Sequence, residues 1–419
     1  MKKLRNLFLI FVIGVIAGYL LLVLAYALPK GRMWAHVADQ HTFDVMGAER
    51  NYPKLIANHE DSRLDNFTDA IMLKMASSDD EHNPFVQALL NPRESSNGGE
   101  ASAEDVMCMY LGEAPYITYY YYRYWHGYLI FLKPLLMFLS YDEIRYVLMT
   151  VDIGLFAIAL YLMGRRKKEE FVIPFIISTL VLNIPAVCLS MQYNACYLLT
   201  MASVVAILWF DKWFEQKDKW PYFFLVTGML TSYFDFLTYP PYVFALPMAM
   251  LLFMYGKDIK DNAKNFLVNG VCWSVGYLAF WAMKWIMAQV VTGEPVIQNA
   301  LDEILFRTSD EWFEGGSISF GGTMAAVWYT QNYYVYLAIV FAIAASIYFI
   351  IKKYKPNWTG MITMVVIGLV PIAWYYLTKN HSCMHTYMTY RQMSILVFAI
   401  AMLGTCWTKK SGGNKVGSD

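Results

Sequence analysis

Two acidic side chains lie four positions apart near the start of a polar segment, within residues 63–70. If residues 65–76 form a helix, Asp65 and Asp69 share one face. A carboxylate there could act as a general base that takes the proton of a reacting hydroxyl, alone or with a divalent cation (Mg²⁺ or Mn²⁺) bridging the pair. The competing interpretation is helix capping, because the positive end of the helix dipole favours anions. The sequence leaves both open.

Cationic side chains that could bind an anion gather near the end of the chain. Arg391 lies inside the last apolar run, where a buried guanidinium suits a bidentate partner such as a phosphate. Lys379, His381 and His385 precede it and complete a predicted phosphate-binding set. The two histidines are also four apart and could ligate a metal, but a pair without a third ligand is a weak signal.

A second group of side chains is predicted to line a substrate cavity: Arg123, Trp125, His126, Asp235 and Tyr239. Asp235 lies about one helical turn before the turn at 239–241, and it faces either the cavity or a cation such as Lys284. Trp125 and His126 either contact substrate or anchor the chain at the membrane interface. Lys284 and Arg145 are expected to extend toward the interface, and Asp152 to pair with a cation.

These residues need a membrane scaffold to position them. The chain has 419 residues, of which 58% are hydrophobic, 17% aromatic and only 16% charged, and its net charge is zero. Such an apolar composition is typical of a polytopic membrane protein. There is no phosphate-binding glycine-rich loop, no nucleotide fingerprint and no basic helix for DNA. The sequence therefore predicts an all-α membrane protein with no nucleic-acid partner.

About ten apolar runs are long enough to cross roughly 30 Å of hydrocarbon. They cover residues 7–29, 144–163, 171–190, 194–210, 221–239, 240–256, 266–291, 328–351, 358–378 and 389–407. If the N-terminus is cytoplasmic, every inside segment is basic, as short cytoplasmic loops are. These segments are residues 2–5, 165–168, 212–219, 257–264, 352–355 and 409–415. Both termini are then cytoplasmic.

The apolar run at 127–141 is short and contains Lys133-Pro134, so we predict a helix lying in the outer interface. The chain then divides into a first transmembrane helix (1–29), an extracytoplasmic loop with interfacial helices (30–142) and a bundle of about nine helices (143–419) with an outer loop at 292–326. Residues 91–105 are polar and rich in Gly and Ser, which predicts a mobile loop. All candidate site residues fall on the outer side.

The combination of a first span, an acidic motif at Asp65-Asn66, the aromatic run 124–128 and a span at 144–166 ending in Gly-Arg-Arg resembles the GT-C class of membrane glycosyltransferases. This class includes the protein O-mannosyltransferases and the bacterial aminoarabinose transferases. The resemblance covers roughly the first 170 residues, with architecture alone beyond them. Asn66 departs from the family's frequent Glu, for which Asp69 can compensate.

The resemblance implies an inverting transferase that moves a sugar from a polyprenyl-phosphate donor to a glycan, lipid or protein of the cell envelope. Asp65 would be the catalytic acidic residue, and the protein would work among the lipids of a bacterial cytoplasmic membrane. Two alternatives remain open: a transporter or flippase of lipid-linked saccharides, and a non-catalytic envelope assembly protein. A transporter is expected to have inverted repeats and broken helices near mid-membrane, and the sequence shows neither.

Overall fold

The computed structural model describes residues 1–47, 51–95, 102–112, 117–311 and 316–409. Over these residues the chain is mostly helical, with two short two-stranded sheets. Six of the described helices are long and apolar enough to cross a membrane, as expected of an integral membrane protein. They are Lys2–Tyr26, Tyr141–Arg165, Met191–Trp209, Ile259–Thr292, Phe320–Ile351 and Trp358–Leu377.

The first part of the chain is one long helix followed by short ones. Its elements are α1 (Lys2–Tyr26), α2 (Gly31–Val37), α3 (Gln40–Met46), α4 (Asn66–Ser77), α5 (Pro84–Leu90), β1 (Pro92–Ser95), α6 (Ser102–Leu111), β2 (Ile117–Tyr120) and α7 (Leu129–Leu136). The helix predicted for 65–76 is confirmed as α4. The predicted mobile loop at 91–105 is partly wrong, because β1 pairs with β2 in antiparallel register and α6 begins at Ser102. Residues 96–101 lie outside the described residues.

Helix α7 has eight residues, so it is only about 12 Å long. Such a helix cannot cross roughly 30 Å of hydrocarbon alone. It packs against α4, where buried Lys133 donates a hydrogen bond from Nζ to the Ala76 carbonyl oxygen at 2.6 Å. That oxygen belongs to the last turn of α4, where carbonyl groups lack helical partners. Residues 127–141 therefore contain no helix that is long enough to cross a membrane by itself.

The remainder of the chain is a helical bundle. Its elements are α8 (Tyr141–Arg165), α9 (Val172–Leu180), α10 (Ile184–Cys188), α11 (Met191–Trp209), α12 (Asp211–Phe214), α13 (Trp220–Phe234), α14 (Pro241–Tyr255), α15 (Ile259–Thr292), α16 (Val296–Thr308), α17 (Phe320–Ile351), β3 (Lys355–Pro356), α18 (Trp358–Gly368), α19 (Val370–Leu377), α20 (Lys379–Met384), α21 (Thr386–Thr389), α22 (Ser394–Leu403) and β4 (Trp407–Thr408).

Four of the ten predicted spans are shorter or broken helices. Residues 171–190 divide into α9 and α10 at Asn183, whose φ of 53° is left-handed. Helices α13 and α14 have 15 residues each, and α22 has ten after a 3₁₀ turn. The predicted outer loop at 292–326 contains the whole of α16 and the start of α17.

Helices α13 and α15 pack most closely where each has a glycine. A Cβ atom on Gly228 would lie 2.2 Å from the Trp273 carbonyl oxygen, and one on Gly276 would lie 2.3 Å from that of Leu225. Small residues allow such backbone approach between membrane helices. This contact fixes the position of α15, whose C-terminal half carries Trp281, Lys284 and Trp285.

Lys284 does not extend to the interface as expected. It is fully buried, and its Nζ donates to the carbonyl oxygens of Ala88 and Leu89, both at 2.8 Å, and to Asn91 Oδ1 at 2.6 Å. These acceptors form the C-terminal end of α5, where a cation is stabilised by the helix dipole. The expectation was wrong because the carbonyl oxygens at the nearby end of α5 replace water as hydrogen-bond acceptors for the ammonium group.

Candidate functional site

Asp65 is the N-cap of α4, as the capping interpretation predicted. Its Oδ1 accepts the Thr68 N–H, and its Oδ2 accepts the Thr68 hydroxyl, both at 2.9 Å. The side chain is fully buried. Burial raises the pKa of Asp65 to about 7; the hydrogen bonds from Thr68 oppose the shift, the Asp69 charge adds to it, and the positive charge of Arg391 opposes it. A carboxyl group with that pKa can exchange a proton near neutral pH.

Asp69 instead holds the N-terminus of another helix. Its carboxylate accepts the backbone N–H groups of Met191 and Gln192, each at 2.9 Å, in the first turn of α11. The Tyr141 hydroxyl, at the start of α8, donates to the same carboxylate at 2.5 Å. Both carboxylate oxygens are thus occupied by donors, so Asp69 joins α4 to two membrane-capable helices.

These contacts do not fit a metal bridging Asp65 and Asp69. The Asp69 oxygens already accept three hydrogen bonds, and the Asp65 oxygens accept two from Thr68. In the part of the chain that the structure describes, no group of three or more His, Cys, Asp or Glu side chains is arranged to hold a metal ion.

The sequence reasoning missed a third buried carboxylate, Asp61, four positions before Asp65. Its Oδ2 accepts the hydroxyl groups of Tyr333 at 2.5 Å and Tyr334 at 3.3 Å, both from α17. Its carbonyl oxygen accepts the Tyr390 hydroxyl at 2.9 Å. The regular spacing of 61, 65 and 69 was the available signal, although residues 63–65 are not helical.

Arg391 lies in the same buried region as Asp65 but is held by the backbone. Its Nε donates to the Leu182 carbonyl oxygen at 2.9 Å and its Nη1 to that of Tyr387 at 2.7 Å. The guanidinium carbon lies 3.7 Å from the ring centroid of Tyr193. The side chain is fully buried and Nη2 has no hydrogen-bond partner among the described residues. Two of the three guanidinium nitrogens are thus occupied by hydrogen bonds to the backbone.

The histidines predicted to bind phosphate form a pair. The His381 and His385 ring centroids lie 4.8 Å apart, and His381 Nε2 donates to the Leu237 carbonyl oxygen at 2.8 Å. His385 Nε2 lies 3.0 Å from Nη1 of Arg307. Burial, together with the charge of Arg307, lowers the pKa of His385 to about 3, so the imidazole is neutral. Lys379 forms an ion pair with Asp310 nearby.

Arg307 belongs to a cluster that also contains Arg123, from the predicted cavity set. Glu303 bridges them: Oε2 is 3.0 Å from Nη1 of Arg123, and Oε1 is 2.6 Å from Nε of Arg307. Each of the three side chains is about one quarter exposed. Two guanidinium groups around one carboxylate leave a net positive charge, which suits an anionic ligand.

These three side chains line a cavity of about 260 Å³ whose other walls combine aromatic and aliphatic side chains. The aromatic walls are Tyr124, Tyr277, Trp281, Trp285 and Trp374. The two indole N–H groups of α15 position Arg123 by donating to its carbonyl oxygen, at 2.6 Å from Trp281 and 2.8 Å from Trp285. We call this space the arginine cavity. Its surface is almost entirely apolar, although Arg123, Glu303 and Arg307 are among its lining residues.

A strained turn completes the arginine cavity. Leu237 lines it with a φ of 67°, which an L side chain rarely adopts. The turn is held by Asp235, whose carboxylate accepts the Thr238 N–H at 3.0 Å and also the Thr238 hydroxyl. Asp235 is buried and does not line the cavity itself, and it forms no ion pair with Lys284 in the described chain.

The other predicted cavity residues support the wall from behind. Trp125 is fully buried, and its Nε1 donates to the Phe280 carbonyl oxygen at 2.8 Å. The Tyr239 hydroxyl donates to the Tyr193 carbonyl oxygen at 2.5 Å. His126 has a left-handed φ of 57°, and its Nε2 donates to the Tyr121 carbonyl oxygen at 2.8 Å. Of the five predicted residues, only Arg123 reaches the arginine cavity.

Sequence reasoning did not identify Glu303 and Arg307. Their spacing of four on an amphipathic run inside the predicted outer loop was the available signal. Comparison with known proteins adds no assignment: the sequence matches no protein-family model and no curated protein, and the fold matches no solved structure.

Proposed function

We propose that this protein is a membrane glycosyltransferase that moves a sugar from a polyprenyl-phosphate donor to a cell-envelope acceptor at the outer membrane face. The observation that carries the proposal is the arginine cavity, where Arg123 and Arg307 share one carboxylate among aromatic walls. In the proposed topology the chain crosses the membrane ten times with a cytoplasmic N-terminus. The arginine cavity then lies at the outer interface.

The donor phosphate binds between Arg123 and Arg307, whose charges exceed that of Glu303. Guanidinium groups bind phosphate oxygens with paired, charge-assisted hydrogen bonds. His385 is neutral and orients Arg307 without adding charge. Tyrosine and tryptophan rings beside the phosphate suit the apolar faces of a sugar.

The polyprenyl chain extends along the membrane-facing side of α15. Leu278 lines both the arginine cavity and a shallow apolar groove of about 460 Å³. The groove continues along α15 to Phe266. Residues 266–279 of a helix span roughly 20 Å, enough for several isoprene units. The length of the groove therefore fits a donor with a long hydrocarbon chain.

Asp65 is the proposed general base, since the Asp69 oxygens are occupied by helix-end donors. A line of rings connects the two regions: Tyr52 and Tyr387 lie 5.1 Å apart, and Tyr387 and His385 lie 6.1 Å apart. Burial raises the pKa of the Tyr52 and Tyr387 hydroxyl groups, and the nearby negative charge of Asp65 adds to both shifts. Asp65 must exchange its contacts with Thr68 for the acceptor hydroxyl before reaction.

In the proposed step, the acceptor oxygen attacks the anomeric carbon of the sugar as its proton passes to Asp65. The bond between that carbon and the phosphate oxygen breaks, and its electron pair stays on the phosphate. Arg123 and Arg307 stabilise the charge that develops there. Attack opposite the leaving phosphate inverts the anomeric carbon.

The proposal is tested by measuring sugar transfer with purified protein in nanodiscs and a polyprenyl-phosphate sugar. Asp65→Asn should reduce turnover at least about a hundredfold, the effect expected for loss of a general base, while donor binding persists. Asp44→Asn is the control, because Asp44 is an exposed carboxylate of the same segment. Unchanged turnover in Asp65→Asn contradicts the proposed base, and donor binding without transfer in the wild type favours a transporter.

A further inference from the structure

A second cavity of about 340 Å³ lies between α7, α8, α11 and the end of α13. Its walls are apolar apart from the Tyr128 hydroxyl group and two amide side chains, Gln192 and Asn194, in the first turn of α11. Its volume falls within the range of about 300–1,000 Å³ typical of ligand sites. We call it the aliphatic cavity.

The aliphatic cavity is bordered by two helices long and apolar enough to cross a membrane, α8 and α11. Phe131 on its rim is 61% exposed, and Ala202 on its wall is exposed too. An apolar cavity that opens between such helices faces hydrocarbon, so the molecules with access to it are membrane lipids. Its occupant is therefore a hydrocarbon chain.

The polar groups of the aliphatic cavity indicate which lipid enters. Among the described residues that line it there is no charged side chain, and so no partner for a phosphate. Asn194 is buried, its Nδ2 donates to the Val187 carbonyl oxygen at 2.8 Å and its side chain lies against the Asp152 carboxyl group, so Gln192 is the amide that can face a hydroxyl group. The cavity suits an uncharged, hydroxyl-bearing head group above a hydrocarbon chain.

An aromatic wall separates the two cavities. Phe236 contacts Tyr128 of the aliphatic cavity and Tyr124 of the arginine cavity, with ring centroids 5.3 Å and 5.6 Å apart. His126 packs against the same phenylalanine at 4.9 Å. Two hydrocarbon chains can therefore occupy the protein together, one on each side of Phe236.

We infer that the acceptor of the proposed transfer is a lipid whose acyl chain binds in the aliphatic cavity and whose hydroxyl group lies near Gln192. This inference rests on the proposed function. The Gln192 backbone is held by Asp69, so the acceptor end of the aliphatic cavity is joined to the helix that Asp65 caps. The chain length that fits is set by the distance from Asn194 to Ala202.

The experiment uses the full chain in nanodiscs with two photoreactive probes: a diacylglycerol lipid with a diazirine in its acyl chain, and a polyprenyl phosphate with a diazirine in its chain. Labelled peptides are mapped by mass spectrometry. Ala195→Trp and Ala202→Trp fill the aliphatic cavity from α11. Ala157→Trp is the control, because it adds the same side chain to an exposed position of α8 outside the cavity.

The acyl probe should label α8 and α11 in the wild type and in Ala157→Trp. Labelling should fall about tenfold in either filled variant, equivalent to about 1.4 kcal/mol, while polyprenyl labelling near α15 stays constant. Equal acyl labelling in all variants, or polyprenyl labelling of the aliphatic cavity, overturns the inference. Failure of the proposed function gives a different pattern. Labelling by the polyprenyl phosphate probe would then be the same in Arg307→Ala as in the wild type, even if acyl labelling falls in Ala195→Trp.

Discussion

Nη1 of Arg307 lies 3.0 Å from Nε2 of His385, 78 positions further along the chain. Because a guanidinium group can only donate, this contact makes Nε2 the acceptor and keeps the imidazole neutral. On its other side Arg307 pairs with Glu303 at 2.6 Å. The two contacts fix the guanidinium between α16 and the segment before α22, and they bring Arg307 and Arg123 to one cavity.

Replacing Asp69 should destabilise the fold. Asp69→Ala leaves the N–H groups of Met191 and Gln192 without their acceptor, and each buried unsatisfied group costs about 1–3 kcal/mol. We expect a loss of about 3 kcal/mol or more in the free energy of unfolding, measured by thermal unfolding in detergent. Asp44→Ala is the matched control, and equal melting temperatures for both variants would exclude the capping role.

Lys284 should contribute to stability through the end of α5. Lys284→Met keeps the length of the side chain but removes the donor to Ala88, Leu89 and Asn91. Hydrogen bonds to charged groups are worth about 1.5–3 kcal/mol, so we expect a loss of that size and faster proteolysis near α5. Lys260→Met, at an exposed position of α15, should have no effect. A Lys284→Met protein as stable as the wild type would mean that the cost of burying the ammonium group outweighs its hydrogen bonds.

The pH dependence of sugar transfer should follow the ionisation of the Asp65 carboxyl group. Burial raises its pKa to about 7, and a general base must be ionised to accept a proton. Activity is therefore expected to be full above about pH 8 and to fall tenfold per pH unit below about 6. Thr68→Val removes the hydroxyl donor to Asp65 and should move the acid limb upward, because that hydrogen bond lowers the pKa. A rate that stays flat from pH 5 to 8 would contradict the assignment.

Much of the helical scaffold could be predicted because it depends on local composition. The apolar runs predicted the six long helices, and Asp65 followed by Asp69 indicated the start of α4. Residues 171–190 were predicted as one span because their composition stays apolar. The break has a local cause that was overlooked: the Asn183 side chain caps α10, and Pro185 follows in its first turn.

The site could be predicted only in part. Arg123 lines the arginine cavity and His385 contacts Arg307 of its wall, but Arg307 itself lies in a segment that was predicted to be a loop. Lys284 was misjudged because its acceptors, carbonyl oxygens of α5, are nearly 200 positions away in the chain. Backbone acceptors carry no sequence signal, so a buried cation that binds them cannot be distinguished from one that binds substrate.

The most direct measurement is the dissociation constant of polyprenyl phosphate for the nanodisc-embedded protein and for Arg307→Ala. Charge-assisted hydrogen bonds are worth about 1.5–3 kcal/mol, so their loss in Arg307→Ala should raise Kd about tenfold or more. Lys217→Ala is the control, because Lys217 forms a comparably exposed ion pair with Asp261 away from the arginine cavity. A Kd for Arg307→Ala within about twofold of the Lys217→Ala value would contradict a phosphate site at the arginine pair.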